Sequence, residues 1–301
     1  MTARKVAKIR QRLSHSQNSQ SCPSRPFTTI TAAKVRAAPD RLEPSQPQTS
    51  HSHNLPRDHV MSSLTKMLSV LDVFSSSAMS MTAEEIAGHM GFSRTTCYRY
   101  VKELASAGLL VSNNGRYCLG PRIIHLDYNM RQSDPTLIAA TPIVQKLVRV
   151  TGGEAVVSTL YDEQVINVMH EAGAENLELG FGRGRIMPLF QGASSKAIIA
   201  FMSRARLKRL HERHHAEMGE FNDWMAFWRH CQEIVETGYC ISRGELDAGF
   251  VGIAAPIRSA SGGSIDSSLS LIFRAEHFAL FDQRVLGTLL VDAAARIGAA
   301  T

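Results

Sequence analysis

The densest grouping of side chains suited to binding a polyanion is the run Ser93, Arg94, Thr95, Thr96, Cys97, Tyr98, Arg99, Tyr100, Val101, Lys102. At 3.6 residues per turn, Cys97, Val101 and Leu104 form an inward stripe. Thr95, Tyr98, Arg99 and Lys102 then face outward, with Arg94 and Thr96 near the helix start. Arginine donates two hydrogen bonds to guanine, hydroxyls reach base edges or phosphate, and the free amides of a helix start attract a phosphate. Arg116 lies a short distance downstream and is expected to touch DNA backbone or minor groove. Catalytic chemistry finds no comparable constellation. There is no GxSxG elbow, and Ala193 stands where an SxxK serine would precede Lys196. The alternating Gly180, Gly182 and Gly184 lack the GxxxxGK[ST] pattern of a phosphate loop. His211, His214 and His215 miss the HExxH spacing and read as part of a solvated polar face. No catalytic residue, metal site or cofactor is expected.

A charged outward face is also what an ordinary solvated helix presents, so the neighbouring elements decide its meaning. Leu64, Met67, Leu68, Leu71 and Phe74 recur at three and four residues as the stripe of a first helix. Thr82 with Glu85 three positions on is a capping box opening a second helix, which Gly91 closes. Ser93 caps the third helix, and Gly108 ends it. Two short helices joined by a tight glycine turn make a helix-turn-helix. Leu109 to Val111 and Tyr117 to Leu119 flank Asn114-Gly115, the strongest two-residue hairpin signal, and read as a wing. Residues 121–134 read as a helical connector ahead of Pro135.

Beyond it, apolar spacing predicts a helix ending at Thr151 to Gly153. Strands are expected at Ala155 to Tyr161, Val165 to His170 and Leu177 to Phe181, then at Tyr239 to Ser242, Val251 to Ile257 and Ser268 to Phe273, with Gly262 and Gly263 turning the last pair. Helices are expected from Ala193 past Phe201, over Ala205 to His214, over Trp224 to Glu236, and as one terminal helix from Ala275 towards Ile297. The pattern predicts an α+β chain with a mainly antiparallel sheet covered by helices.

The formal charge of +6 and pI near 9.2 are concentrated at one end. Residues 1–60 hold ten Lys or Arg against three acids, together with six of the eleven prolines. The sequence from residue 61 onward is close to neutral. That first segment is too polar to bury a core. It is expected to be a disordered basic tail, with three readings open: a translation start at Met61, a DNA-touching arm, or a transit peptide. Five cysteines without a CxxC pair suggest a reduced, cytoplasmic chain, and no run of eighteen apolar residues suggests a membrane span. The expected organisation is a tail over 1–60, a winged helix-turn-helix over 61–120, a linker helix over 121–134 and a second domain over 135–301.

With these residues in place, 63–134 resembles the winged helix-turn-helix of the IclR family of bacterial transcriptional regulators. "GFSRTTCYRYVKELASAGLL" (Gly91 to Leu110) stands in its recognition-helix position and "YCLG" (Tyr117 to Gly120) closes its wing. "MPLFQGASSKAIIAFM" (Met187 to Met202) and "TGYCISRGELDAGFVGIAAPI" (Thr237 to Ile257) resemble two segments of that family's effector domain. The resemblance implies a GAF-like second domain holding a small organic molecule, often a carboxylate or aromatic acid of a catabolic pathway. Carried over by position, the pocket candidates are Ala193, Ser194, Ser242, Phe250, Gly252 and Ser270. Where relatives carry an acidic pair, this chain has Ser242 and Arg243, so Arg243 is expected to pair with an effector carboxylate. Phe190 and Gln191 replace a usual His-Ala pair. The resemblance further implies a homodimer or homotetramer on a roughly palindromic double-stranded operator, with no membrane partner. An enzyme acting on the same small molecule, or a constitutive binder with a degenerate pocket, are the competing readings.

Overall fold

The structure, a computed structural model, describes residues 62–75, 77–174, 177, 182–215, 218–260, 262 and 265–301. The tail over 1–60, the expected strand at Leu177 to Phe181 and the expected turn at Gly262 and Gly263 lie wholly or largely outside the described residues. No helix among the described residues is long and apolar enough to cross a membrane.

The first helix, α1 (Ser63–Leu68), is capped by Ser62 and tightens into a 3-10 turn over Ser69–Val73. A two-residue strand β1 (Met81–Thr82) leads into α2 (Ala83–Met90), where Thr82 and Glu85 form the reciprocal capping box at 3.1 and 2.8 Å. Gly91 ends α2 at φ +68°, and Ser93 caps α3 (Arg94–Ser106) by accepting from the Thr96 amide at 3.2 Å. Strands β2 (Leu110–Asn113) and β3 (Arg116–Leu119) pair antiparallel around Asn114 and Gly115, both at positive φ, as a primed hairpin turn requires. The sheet order is β1-β3-β2. Val70, Ile86, Cys97, Val101, Leu104 and Leu110 fill the core of this unit, and the Cys97 thiol donates to the Ala83 carbonyl at 3.2 Å.

Helix α4 (Arg122–Ser133) follows and buries none of its residues. Asp134 then caps α5 (Pro135–Thr151), which ends at Gly152 with φ +73°. The larger sheet contains β4 (Glu154–Tyr161), β5 (Gln164–Glu171), β6 (Ile186–Met187), β7 (Cys240–Arg243), β8 (Phe250–Ile257) and β9 (Ser267–Arg274). Its order is β6-β5-β4-β9-β8-β7, antiparallel throughout. Strand alternation sorts its residues between two layers. Val157, Ile253, Ala255, Leu269 and Leu271 pack against α5 and the terminal α10 (Gln283–Gly298). The opposite face carries Val165, Cys240 and Ala254 against α6 (Ala193–Ile199), α7 (Arg204–Arg213) and α8 (Trp224–Thr237).

Two expectations about elements need correction. The terminal segment is two helices, the short α9 (Ala275–Phe278) and α10, because Asp282 leaves helical geometry to cap Arg284 and Val285. Of the three histidines at the end of α7, only His215 is exposed as a solvated face requires. His211 is buried, with Nε2 3.1 Å from the Phe221 carbonyl and its ring against Trp224 and Phe227, while His214 lies 3.1 Å from Glu163. No cluster of metal-ligating side chains occurs among the described residues.

Candidate functional site

The outward face of α3 keeps the composition that its period predicts. Arg94, Thr95, Tyr98, Arg99 and Lys102 are exposed, whereas Cys97, Tyr100, Val101 and Leu104 are buried. No salt bridge holds Arg94, Arg99 or Lys102 among the described residues, and Arg99 lies over the Tyr100 ring at 5.4 Å. The remaining candidates have local partners. Ser93 donates to the Thr96 hydroxyl at 2.9 Å while capping the helix, so both hydroxyls are engaged with each other. Tyr98 donates to Glu84 Oε1 at 2.7 Å. That bond holds the Glu84 carboxyl below its ordinary value and pushes the Tyr98 phenol up.

Arg116 is likewise engaged. It donates to the Ser80 carbonyl at 2.6 Å and to the Ser80 hydroxyl at 3.1 Å, and pairs with Glu85 Oε2 at 3.2 Å. The Thr82 backbone bond, with Arg116 next, keeps Glu85 below its ordinary value. As placed here, Arg116 ties the wing to the start of α2. The exposed side chains of this face that make no hydrogen bond or ion pair with another side chain among the described residues are therefore Arg94, Thr95, Arg99 and Lys102.

The second site is a small cleft between the helical layer and the sheet, with about 40 Å³ of space open to a water-sized sphere as the side chains stand. Register explains its lining. Ser242, Gly252 and Ile272 sit side by side across β7, β8 and β9, and Ser270 faces Val156 on β4 in the neighbouring row. The start of α6 supplies Ala193 and Ser194, the β7–β8 loop supplies Leu246 and Asp247, and Phe250, Asn167, Met187 and Gly192 complete the wall. Six of the seven pocket candidates are thus brought together: Ala193, Ser194, Ser242, Phe250, Gly252 and Ser270.

Arg243 is the exception and the expectation for it is corrected. Successive strand residues point to opposite faces, so a Ser242 that faces the pocket turns Arg243 away. Its guanidinium lies over the Phe278 ring at 5.1 Å and lines a surface depression with Ile241, Glu245 and Gln283. It cannot meet an effector carboxylate in the cleft. Sequence reasoning also missed Asp247, although "GELDAGF" adjoins Phe250, and Ile272, which period two from Ser270 would have found. Asn167 and Met187 come from distant strands and carried no local signal.

Polar groups in and beside the cleft are bonded to one another. Ser194 donates to the Ser270 hydroxyl at 3.0 Å, Ser270 donates to the Val156 carbonyl at 3.2 Å, and Ser158 donates to Asn167 Oδ1 at 2.8 Å. Behind the start of α6, Lys196 is buried and its Nζ lies 2.5 Å from Glu245 Oε1. The other oxygen of Glu245 accepts from the Gly192 amide at 2.9 Å. The β7–β8 loop is thereby fastened to the helix that faces it. Gly192 itself has φ +78° and ψ 155°, a conformation that glycine alone adopts readily.

The effector unit and the connector are also joined by side chains. Arg183, ahead of β6, donates to Asp127 Oδ1 on α4 through Nε and Nη2 at 3.0 and 2.6 Å, and Arg131 holds the other oxygen at 2.8 Å. Partial burial raises the Asp127 pKa, but the Arg183 hydrogen bond and the two guanidinium charges outweigh it and leave the carboxyl below its ordinary value.

A helix-turn-helix with a cationic outer face, joined by one helix to an α+β unit with a cleft, is the architecture of a DNA-binding transcriptional regulator. Residues 63–113 match the IclR helix-turn-helix domain and residues 132–299 match the bacterial transcriptional regulator IclR C-terminal domain, so the chain belongs to the IclR family. Among curated relatives, it is 24% identical over 245 residues to the Pca regulon regulatory protein of Pseudomonas putida, covering 76% of this chain and 81% of that one. It is 22% identical over 241 residues to the p-hydroxybenzoate hydroxylase transcriptional activator of Acinetobacter baylyi, covering 74% and 87%. The fold is that of the IclR regulator from Alicyclobacillus acidocaldarius, with a TM-score of 0.67 at 23% identity, covering 79% of this chain and 98% of that one. An IclR homologue from Microbacterium hydrocarbonoxydans complexed with 4-hydroxybenzoate gives 0.64 at 21% identity, covering 79% and 98%.

Proposed function

We propose that this regulator controls a catabolic operon in response to a small organic effector held in the cleft between α6, β7, β8 and β9. The observation that carries the reading is the convergence of six residues from four elements, α6, β7, β8 and β9, on one cleft. The relatives named for the Pca regulon and for p-hydroxybenzoate hydroxylase, and the homologue complexed with 4-hydroxybenzoate, support an effector of aromatic size. Arg94, Arg99 and Lys102, with Thr95, are assigned the operator contacts.

The signal is proposed to travel through Arg183. An effector that moves Met187 displaces β6 and the Arg183 turn before it, and the Asp127 clamp passes that displacement to α4. This is a shift between two arrangements of the DNA-binding units, with no chemistry on the effector. A second copy is the proposed partner of α4, whose exposed Ile124, Leu126, Tyr128 and Met130 have no cover among the described residues. Footprinting on the DNA flanking its own gene, with and without a panel of small aromatic and aliphatic compounds, tests the reading. The expected result is a roughly palindromic protected site that one compound alters. A protected site that no compound alters would favour a constitutive binder, and conversion of a compound to product would favour an enzyme.

A further inference from the structure

We infer that Glu154 and His170 are a further binding station of the effector site, at which Glu154 Oε1 accepts a hydrogen bond from a hydroxyl group of the ligand. The inference rests on the proposed reading of the cleft as the effector site.

Register places the pair. Glu154 opens β4 opposite Ile272 on β9, Ile272 stands opposite Gly252 on β8, and Gly252 stands opposite Ser242 on β7. Residues opposite one another in an antiparallel pair share a face, with Cβ atoms about 4.5–5.5 Å apart. Ser242, Gly252, Ile272 and Glu154 therefore make one row, of which the first three line the cleft. The next row holds Ser270, Val156 and His170, and of these Ser270 and Val156 line the cleft. Glu154 and His170 thus each continue a row of the cleft wall by one strand.

The carboxylate is half satisfied. The Glu154 side chain is 1% exposed and its Oε2 lies 2.8 Å from His170 Nε2, whereas Oε1 is buried and has no hydrogen-bond partner. A carboxylate oxygen withdrawn from water in this way bears its full desolvation cost. Ser195 Oγ and His230 Nε2 are the other buried side-chain atoms without a partner among the described residues, and Glu154 is the one of the three that belongs to the sheet.

The polar side chains of the cleft have no proton to send there. Ser270 donates to the Val156 carbonyl and Ser194 to Ser270. Ser242 stands three strands from Glu154, roughly 14 Å at the ordinary strand spacing. Asn167, whose amide nitrogen meets the Met187 sulfur at 3.5 Å, is paired with Ser158, four residues along β4 from Glu154. The missing partner therefore comes from outside the chain, and because a carboxylate oxygen only accepts, that partner brings the proton. A hydroxyl on an apolar body fits, the body lying against Val156, Ile272 and Phe250 and the hydroxyl reaching Oε1. The cleft, with about 40 Å³ open as the side chains stand, is too small for an organic ligand, so occupation parts Val156 and Ile272, the lining residues beside Glu154 in register. The reading applies alike to acids and to neutral compounds.

The test is titration calorimetry on the full chain with benzoate and benzamide, each plain or carrying a hydroxyl or a methoxyl at carbon 3 or 4. In at least one matched set the hydroxyl compound should bind ten times or more tightly than its methyl ether, which cannot donate. Glu154→Gln keeps the shape and turns an amide N–H to the place of Oε1, so the hydroxyl-to-ether ratio should fall at least tenfold, a change that a merely structural role would not produce. In the native protein, the ring protons beside the hydroxyl should show nuclear Overhauser contacts to the Val156 and Ile272 methyls. A hydroxyl compound that binds no more tightly than its ether, a ratio unchanged in Glu154→Gln, or a hydroxyl end that contacts Leu246 in place of Ile272 overturns the inference and leaves the cleft as the effector site. A bound compound that touches none of Val156, Leu246 and Ile272, or no binding by any of the ten at millimolar concentration, removes the cleft assignment itself and the inference with it.

Discussion

Lys196 and Glu245 provide a test in which the two halves of one ion pair should differ in their effect on stability. The Lys196 side chain is 2% exposed and that of Glu245 is 28% exposed. Removing the partner of a buried charge costs about 3–5 kcal/mol, because that charge is left in a poorly polarisable interior. In Glu245→Ala the stranded ammonium keeps the Phe221 ring, 5.4 Å from Nζ, and a cation–π contact returns about 0.5–2 kcal/mol. The expected loss is therefore about 3 kcal/mol. Lys196→Met removes the buried charge and fills its place with an unbranched apolar chain. Glu245 then retains the Gly192 amide and reaches water through its exposed side, so the loss should be about 1 kcal/mol. The double variant should resemble Lys196→Met, well short of the two losses added together. Urea unfolding followed by tryptophan fluorescence suits the measurement, since Trp224 and Trp228 both lie on α8 and report on the effector unit. A Lys196→Met loss equal to or greater than that of Glu245→Ala, or additivity in the double variant, would refute the reasoning.

Other perturbations probe the DNA face, the coupling and the packing. Arg99→Ala should weaken operator binding by about 1–3 kcal/mol, a loss of roughly fivefold to a hundredfold, with an unchanged melting transition; full affinity at physiological salt by fluorescence anisotropy would remove Arg99 from the interface. Arg183→Ala should leave both effector and operator affinity near native values but abolish the change that one imposes on the other, as read by anisotropy with and without effector. Asp127 has a depressed pKa, so its stabilising contribution is complete above its ordinary value of 3.8 and is lost as pH falls through the lower folded value. The clamp should therefore hold at pH 5, where an effector response already lost would count against it. Gly192→Ala should cost about 1–3 kcal/mol for its backbone conformation, and the new Cβ would lie 2.7 Å from Leu246 Cδ1; a neutral result in urea would show that the loop relaxes. Cys231 and Cys240, whose thiols burial pushes up to about 12, should resist iodoacetamide at pH 8 until the chain unfolds.

What could be foreseen from the residues alone follows the range of each interaction. The Thr82 capping box, the Ser93 cap and the Asn114-Gly115 turn act over two or three residues, so their signatures are written contiguously and the first unit was legible nearly element by element. The pocket was legible where a strand's own alternation or a quoted segment carried it, at Ser242, Phe250, Gly252 and Ser270. Arg243 went astray because the family comparison fixes a column and says nothing of its face, whereas period two had already committed the side chain. The Lys196–Glu245 pair, 49 residues apart, has no local signature at all. The break between α9 and α10 was hidden because apolar residues continue through it, and only the Asp282 cap marks the new start.

Helix α4 has the shape of a transmission shaft and the burial of a loop. It joins the unit that reads DNA to the unit that holds the ligand, yet none of its twelve residues is buried. An isolated helix of that length is marginal in water. If a second copy covers it, as proposed, the order of the shaft becomes a function of how much protein the cell holds. Below the self-association constant, effector could still bind and the signal would slip; above it, both engage. Expression level would then set the sharpness of the response as well as its size, and a chain lacking a working α3 but keeping α4 would silence native partners by pairing with them.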